Sequence, residues 1–382
     1  MKKIKNLAIL LLTAIAVMGI YTSCKKTELS NNGEPKISYV RITAPESSDS
    51  LLIGAGQGRL VAIIGENLGK AVEIWFNDQK AVLTPTYITN TSILVTVPTR
   101  IPVNVNNKIK MIFSDGKQLI YDFVVQISKP SVTSMVSEFV NDGDVAIIRG
   151  DYFYAPITVT FTGGAVATLE SLKDQEVRVR VPAGAQPGPV TVKTNFGQVT
   201  STFWFRDNRN HIIDGDPHEG WWATYLVTNP NPANGDPAKI SGNYYRFKKQ
   251  VKAWTWDSPE VAGGAAADMP NHSKNIPDDA ILNPANYNVK FEINTLKPFN
   301  KNRIILNVGL KAEDNNGYVW QPPYDSKGNW NTITIPFEDM VAAYATKPTI
   351  SSTGYWSRIL IFGGDDLDAD ICFDNLRIVP KK

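Results

Sequence analysis

The sequence predicts an all-β protein made of several sandwich domains. Its 382 residues are more than one hydrophobic core of ordinary size requires. From Lys36 onward, short segments alternate between apolar and polar residues, and clusters of Gly, Asn, Asp and Pro separate them. Almost no segment has the spacing of a long amphipathic helix. The pattern therefore favours short, half-buried strands joined by turns.

The first 35 residues are predicted to be a targeting segment and a tether. Three lysines precede an apolar run at 7–20, which is too short to span a bilayer comfortably. Tyr-Thr-Ser-Cys follows and resembles the lipobox of bacterial lipoproteins, with Tyr21 in place of the usual aliphatic residue. The resemblance implies a signal peptide at 1–23 and lipidation of Cys24. Residues 24–35 are polar and lack periodicity, which predicts a tether.

An internal repeat predicts two tandem domains of one fold. The segment VAIIGENL at 61–68 aligns with AIIRGDYF at 146–153, and a further strand-like segment follows each copy. ILVTVP at 93–98 aligns with VRVRVP at 177–182 at nearly the same offset. The glycine after each buried strand permits a turn, and alternating Val and Ile suit a half-buried pleated face.

These repeated motifs resemble the IPT/TIG immunoglobulin-like domain. The resemblance implies two tandem immunoglobulin-like sandwiches, at 36–127 and 128–206, which act as spacers or as contact surfaces for proteins.

The composition changes after residue 206, where a third domain is predicted at 207–382. Six of the nine tryptophans lie between Trp221 and Trp330. The spacing of the strand-like segments predicts a jelly-roll-like β-sandwich. The predicted strands are Tyr244–Val251, Tyr287–Ile293, Ile304–Val308, Trp330–Ile335, Ile359–Phe362 and Ile371–Val379.

Aromatic side chains of this third domain are candidates for contact with carbohydrate. Sugars present apolar C–H faces with a rim of hydroxyls, so their sites combine flat rings with polar side chains. Trp254 and Trp256 would share one face of a strand, which leaves a platform and a core position equally open. Trp320 borders a Pro-Pro stretch that cannot join a central ladder, which favours contact with ligand. The candidate glycan-binding residues are Trp222, Trp254, Trp256, Trp320, Tyr324 and Trp356.

Four segments of the third domain resemble one family. GNYY at 242–245, YVWQP at 318–322, WNTITIPF at 330–337 and FDNLRI at 373–378 are similar to the C-terminal domain of Bacteroidetes surface glycan-binding proteins of the xyloglucan-binding type. The resemblance implies non-catalytic capture of a plant β-glucan or a xyloglucan-like hemicellulose at the outer membrane, with the lipid-anchored protein facing the cell exterior. It also implies delivery to an uptake system with a SusC-type transporter and a SusD-type partner.

Other functions are less favoured by the residues. The net charge of +2 does not indicate a nucleic-acid surface. A glycoside hydrolase needs two carboxylates across the scissile bond, and the acidic residues offer pairs only as chance would. The three histidines follow no HExxH or triad motif, so no catalytic residues are predicted. A surface adhesin that binds protein is the remaining alternative. The acidic residues considered are Glu219, Asp257, Glu292, Glu313 and Asp314.

No cofactor is predicted. The acidic segment Asp365–Asp370 lacks the EF-hand pattern, so a charged turn is favoured, with a structural calcium ion as the alternative. Cys372 lies in a strand-like run and is expected to be a small buried hydrophobe. The run Ala262–Ala265 matches no phosphate-binding glycine motif and is expected to be a flexible loop.

Overall fold

The computed structural model describes residues 33–44, 50–221, 223–309 and 317–382. The predicted signal peptide, Cys24, most of the tether, Trp222, Glu313 and Asp314 lie outside the described residues. Within those ranges, no helix has the length and apolar character needed to cross a membrane. The contacts divide the chain into one compact unit that ends at Ile127 and a second that begins at Ser128.

The first unit is a β-sandwich. One sheet has the strand order β1-β3-β6, the other has the order β5-β4-β7-β8, and β2 pairs in parallel with β9. Ile63 from the first sheet and Ile74 from the second are fully buried in one cluster, which places the core between the sheets. The strands are β1 (Lys36–Ile42), β2 (Gly54–Gly56), β3 (Leu60–Glu66), β4 (Ala71–Phe76), β5 (Gln79–Lys80), β6 (Ser92–Thr96), β7 (Lys108–Phe113), β8 (Gln118–Asp122) and β9 (Val124–Gln126).

The second unit begins with a sandwich of the same kind. Its sheets have the orders β10-β11-β14-β13 and β12-β15-β16. Ile148 and Val177 from the first sheet pack with Phe161 and Val192 from the second. The strands are β10 (Ser131–Met135), β11 (Val145–Asp151), β12 (Ile157–Thr162), β13 (Thr168–Lys173), β14 (Glu176–Arg180), β15 (Gln186–Thr194) and β16 (Gly197–Phe205).

The C-terminal domain of the second unit is a larger sandwich. Strands in the order β18-β19-β26-β21-β24, with β17 added on β26, form one sheet, and β20-β25-β22-β23 form the other. The elements are β17 (His211–Ile213), β18 (Leu226–Val227), β19 (Tyr244–Val251), β20 (Glu260–Gly264), α1 (Asp278–Leu282), β21 (Tyr287–Thr295), β22 (Ile304–Val308), β23 (Tyr318–Trp320), β24 (Asn331–Pro336), α2 (Phe337–Ala343), β25 (Ser357–Ile361) and β26 (Leu367–Pro380).

The predicted all-β fold class is confirmed. The six strands predicted for the C-terminal domain correspond to β19, β21, β22, β24, β25 and β26. One prediction was wrong: the run Ala262–Ala265 is not a flexible loop, because most of it belongs to β20, which is buried against β25. Gly263 must lack a side chain there, since its φ is +100° and a Cβ atom would meet the Ser357 carbonyl at 2.2 Å.

A buried ionic network joins the second sandwich to the C-terminal domain. The guanidinium of Arg377 is fully buried and donates to Glu138 at 2.6 Å and to Glu292 at 3.1 Å. Glu138, from the second sandwich, also accepts from Lys290 at 2.5 Å. All four side chains are removed from water, and burial raises the pKa of Glu292, so the network is stable only when both domains supply their side chains. The joint holds these two domains as one unit.

Candidate functional site

Three aromatic rings form an exposed cluster on the C-terminal domain. Trp254 and Trp256 are 54% and 53% exposed, although both are large apolar side chains. Between them lies Phe362, whose ring stacks on Trp256 at 4.2 Å between centroids and meets Trp254 edge-on at 5.3 Å. We call Trp254, Trp256 and Phe362 the aromatic platform. The two exposed indoles leave apolar ring surface in contact with solvent.

The platform is built by loops rather than by a strand. Trp254 and Trp256 lie between β19 and β20, and Trp254 has a left-handed φ of +53°. The two tryptophans therefore do not share one face of a strand, and their exposure favours the platform over the core. The backbone N–H of Trp254 donates to the Gly363 carbonyl at 2.7 Å, which ties this loop to the segment between β25 and β26. Gly364 lets the indole lie against the backbone, since a Cβ there would be 3.2 Å from the ring nitrogen.

Charged side chains rim the platform. The guanidinium of Arg303 lies 5.0 Å from the centre of the Trp254 ring, in cation–π geometry. The carboxylate of Asp366 accepts from Lys252 at 2.7 Å and from the backbone N–H of Ala253 at 3.0 Å. The hydrogen bond from Lys252 lowers the pKa of Asp366, which further favours the ionised carboxylate. Flat rings beside donors and acceptors are the combination that sugar binding requires.

Trp320 is not an exposed ligand contact, and that prediction was wrong. It is 8% exposed and belongs to the hydrophobic core. Its ring stacks on Phe299 at 5.7 Å and meets Phe291 edge-on at 6.0 Å. The Pro-Pro stretch begins two residues later, so Trp320 itself completes β23, which pairs with β22 and points this side chain inward.

Tyr324 is half-buried beside Trp320 rather than beside the platform. Its ring lies 5.5 Å from the Trp320 ring, and its hydroxyl accepts a hydrogen bond from the Asn331 amide at 2.8 Å. It borders a cleft of about 450 Å³ that Thr133 and Arg149 of the second sandwich also line. The five predicted residues that the structure describes therefore do not form one site.

Trp356 forms a separate pair with Trp221. The two half-buried rings meet edge-on at 5.2 Å, and the guanidinium of Arg358 lies 5.4 Å from the centre of Trp356. The indole N–H of Trp221 donates to Asp268 at 3.0 Å. Trp222, which was favoured over Trp221 as a surface contact, lies outside the described residues.

A histidine–carboxylate cluster fixes the loop that carries Trp221. His272 bonds to Glu219 at 2.9 Å and to Asp214 at 3.3 Å, and Asp214 also bonds to His211 at 2.8 Å. The hydrogen bond to Asp214 raises the pKa of His272, which favours the imidazolium form. Burial alone would raise the pKa of Asp214, but the bonds from the two histidines outweigh it and hold this pKa well below its ordinary value.

Aspartates of the acidic segment Asp365–Asp370 form ion pairs with lysine and arginine side chains. Asp368 pairs with Lys297 at 2.6 Å, and Asp370 pairs with Arg246 at 2.8 Å. In the part of the chain that the structure describes, no group of three or more His, Cys, Asp or Glu side chains could hold a metal ion. Cys372 is buried as expected.

Phe362 and Arg303 were missed as site residues. Phe362 was interpreted as the end of a strand, and Arg303 precedes β22 without any motif. Two glycines follow Phe362 and end the strand so that its ring reaches the surface beside the tryptophans. Only the approach of three separate segments places these residues together.

Comparison with known proteins finds a family model that matches the C-terminal domain. Residues 205–380 match the model of the family described as "Surface glycan-binding protein B xyloglucan binding domain". An IPT/TIG domain-containing protein of Bacteroides ovatus is 28% identical over 154 residues. That match covers 39% of this chain and 30% of the relative, so the chain spans less than a third of that relative's length.

Two solved structures share the fold. The surface glycan-binding protein PbSGBP-B from Prevotella bryantii aligns with a TM-score of 0.66 at 23% identity, over 92% of this chain and 99% of that one. SGBP-B from a complex xyloglucan utilization locus in Bacteroides uniformis aligns with a TM-score of 0.51 at 15% identity, over 91% of this chain and all of that one. At these identities the two structures show that the chain shares the fold, and the family model matches the domain that carries the platform.

Proposed function

We propose that the protein binds a polysaccharide without cleaving it, through the aromatic platform. The observation that carries this proposal is the exposure of Trp254 and Trp256 on either side of Phe362. Exposing two indoles to water is unfavourable, and stacking on the C–H face of a sugar removes that surface from water. Arg303 and Lys252 lie beside the rings and supply donors for hydroxyl groups.

The ligand class we propose is a plant β-glucan or a xyloglucan-like hemicellulose. The match of residues 205–380 to a xyloglucan-binding domain model supports this class. The platform is an open surface of aromatic rings and not an enclosed pocket. An open surface can bind the middle of a long polysaccharide chain better than a single small sugar. Contacts of this kind are shallow, and we expect dissociation constants in the range of roughly micromolar to millimolar.

The absence of cleavage is part of the proposal. Glu292, one of the acidic residues considered for hydrolysis, is fully buried against Arg377 and cannot meet a substrate. Glu219 is held by His272, and Asp257 pairs with Lys249 at 3.0 Å. These carboxylates have structural partners instead of facing each other across an open site.

We further propose that Cys24 is lipidated and anchors the protein in the outer membrane, facing the cell exterior. The lipobox-like sequence before Cys24 supports the anchor, and the match of residues 205–380 to the model of a surface glycan-binding protein domain supports display on the surface. A SusC-type transporter and a SusD-type protein are the proposed partners. The two N-terminal sandwiches, at 36–127 and 128–206, would then separate the glycan-binding domain at 207–382 from the membrane.

Affinity electrophoresis tests the proposed function. The protein without residues 1–24 is run through native gels that contain xyloglucan, mixed-linkage β-glucan, glucomannan or no polysaccharide. We expect at least one of these glucans to retard the protein. Trp256→Ala should remove most of the retardation, because it takes away the ring that stacks on Phe362.

Trp75→Ala is the matched control. Trp75 is a half-buried tryptophan of the first sandwich that contacts Lys80 and Lys110, so its loss makes the same chemical change away from the platform. Equal retardation of wild type and Trp256→Ala would exclude the platform as the binding surface. No retardation by any glucan, combined with binding to a surface protein, would favour the adhesin alternative. Products released from the polysaccharide would show that the protein is an enzyme.

A further inference from the structure

The two N-terminal sandwiches share a local backbone arrangement but differ in its side chains. In the first, the N–H of Gly65 donates to the Thr91 carbonyl at 3.0 Å, and the N–H of Leu68 donates to Asn90 at 3.0 Å. In the second, Gly150 donates to Gln175 at 3.2 Å, and Phe153 donates to Asp174 at 3.1 Å. The turn after β3 and the turn after β11 are therefore structurally equivalent, and their residues can be compared position by position.

Tyr152 occupies a backbone position that does not suit tyrosine. Its φ is +61°, and the equivalent residue of the first sandwich, Asn67, has a φ of +56°. Asn adopts this left-handed conformation readily, whereas a bulky side chain is strained there. Both sandwiches thus have a positive φ at this position. In the second sandwich the residue there is a strained tyrosine, and its ring lies at the surface. Such strain is concentrated at functional positions.

A second tyrosine, Tyr154, lies next to Tyr152. Tyr154 stands where the first sandwich has Gly69, and its ring lies 6.4 Å from that of Tyr152 and 6.1 Å from that of Phe196. Tyr152 is 44% exposed and Tyr154 is half-buried. Burial raises the pKa of Tyr154, which further favours the protonated hydroxyl, a hydrogen-bond donor. Neither hydroxyl has a hydrogen-bond partner among the residues that the structure describes.

The tyrosines border an open cleft of about 650 Å³. Polar side chains of the turn between β13 and β14 line its other wall, and Gln175 is oriented there by a hydrogen bond from its amide to Asp151 at 2.9 Å. Charges of both signs are present, from Arg149 and Lys173 and from Asp151, Asp174 and Glu176. In the first sandwich, by contrast, Asn67 donates to the carbonyl of Glu34 at 3.0 Å and is already engaged.

We propose that Tyr152, Tyr154 and the turn between β13 and β14 form a second sugar-contact site, which takes one or two units of a neutral polysaccharide. Two phenol rings beside amide, ammonium and carboxylate groups match the apolar face and hydroxyl rim of a sugar. The mixed charges do not select an anion or a cation. The choice of a glycan as ligand rests on the proposed function of the platform.

The two sites would act on one polysaccharide chain. The buried joint of Glu138, Lys290, Glu292 and Arg377 holds the second sandwich and the C-terminal domain in one compact unit. A second weak contact on the same unit raises the affinity for a long chain through effective concentration, without changing the affinity for a short one. The length dependence of binding is therefore the signature of the second site.

Tyr152→Asn tests the proposal. This variant places the residue of the first sandwich on the same backbone, so it removes the ring and relieves strain instead of endangering the fold. Binding of the full chain to the polysaccharide and to a short oligosaccharide of the same glucan is measured by calorimetry. We expect the affinity for the polysaccharide to fall by about 3- to 10-fold and the affinity for the oligosaccharide to stay unchanged. Tyr154→Ser should give the same result.

Tyr87→Asn is the matched control, because Tyr87 is a 50% exposed tyrosine of the first sandwich. Wild-type affinity of Tyr152→Asn and Tyr154→Ser for the polysaccharide would overturn the second site while leaving the platform intact. Unchanged affinity for glycan with loss of a cross-linked surface protein would assign the cleft to a protein contact instead. A wild-type chain that binds no glucan would overturn the proposed function and, with it, the ligand class of this cleft.

Discussion

Two regions of the C-terminal domain contain aromatic residues two positions apart, and the two regions differ in the solvent exposure of their tryptophans. Trp254 and Trp256 are more than half exposed, whereas Trp320, two residues after Tyr318, is buried against Phe299. The same spacing produced a platform in one place and a core in the other. Alternation shows which side chains share a face of a strand, but it does not show whether that face meets solvent or another sheet.

The difference arises from the local partners. Trp320 lies on β23, whose pairing with β22 fixes the direction of its side chain toward the other sheet. Trp254 lies on a loop, and its left-handed backbone turns the indole toward Phe362 and Arg303. An aromatic residue is therefore held in the core by strand pairing and at the surface by a loop that other loops anchor.

The largest effect that we expect is the loss of stability in Trp320→Ala. Removing this ring leaves a cavity between Phe291 and Phe299, and such truncations cost about 3–5 kcal/mol. Differential scanning calorimetry should show a clearly lower midpoint for the C-terminal transition. Trp256→Ala serves as the comparison, because it removes an indole that is already 53% exposed. Similar midpoints for the two variants would show that the contrast between core and platform is wrong.

The second effect concerns binding rather than stability. Trp256→Ala should weaken binding of the polysaccharide by about tenfold or more, equivalent to roughly 1.4 kcal/mol. The free energy of unfolding should change by less than about 1 kcal/mol, because little buried surface is lost. Calorimetric titration and thermal denaturation of the same preparation measure the two quantities. Trp256→Phe keeps a flat ring and should retain most of the affinity, and a loss as large as that of alanine would argue against stacking.

The sequence was sufficient to predict the strands but not the site. Val289, Phe291 and Ile293 alternate along β21, and Leu367, Ile371 and Phe373 lie on one face of β26, which is the period of a strand. The platform depends on the meeting of three loops, and nothing in the local sequence links Phe362 to Trp256. The short pieces β17, β18 and β23 were also missed, since two or three residues carry no periodicity. The ionic joint was hidden for a related reason, because Glu138 and Arg377 are 239 residues apart.

A smaller effect is expected for the rim of the platform. Arg303→Met removes the guanidinium that lies 5.0 Å from the Trp254 ring but keeps an apolar stem of similar length. We expect affinity for the polysaccharide to fall by about 2- to 5-fold, in line with the roughly 0.5–1 kcal/mol of an exposed cation–π contact. Lys301→Met makes the same change of charge two residues earlier and should bind like wild type. A similar loss of affinity in both variants would indicate that positive charge near the platform matters in general, and not the contact of Arg303 with Trp254.

The smallest effect that we expect concerns the loop that carries Trp221, which His272 helps to hold. The rings of Trp221 and Trp356 are half-buried, so this pair is intermediate between the platform and the core. The bond from His272 to Asp214 raises the folded-state pKa of His272 above its ordinary value of about 6.5. A raised histidine pKa stabilises the fold fully below that ordinary value, and the contribution is lost as the pH rises through the folded-state pKa. The thermal midpoint should therefore fall by about 2 °C or less between pH 6 and pH 9, and His272→Gln should remove this dependence.

His218→Gln is the control, because His218 bonds to the Tyr245 hydroxyl and the Trp221 carbonyl rather than to a carboxylate. If His272→Gln kept the wild-type pH profile, the imidazolium would not be what holds the Trp221 loop in place, and Asp268, which accepts from the Trp221 indole, would be the next anchor to test.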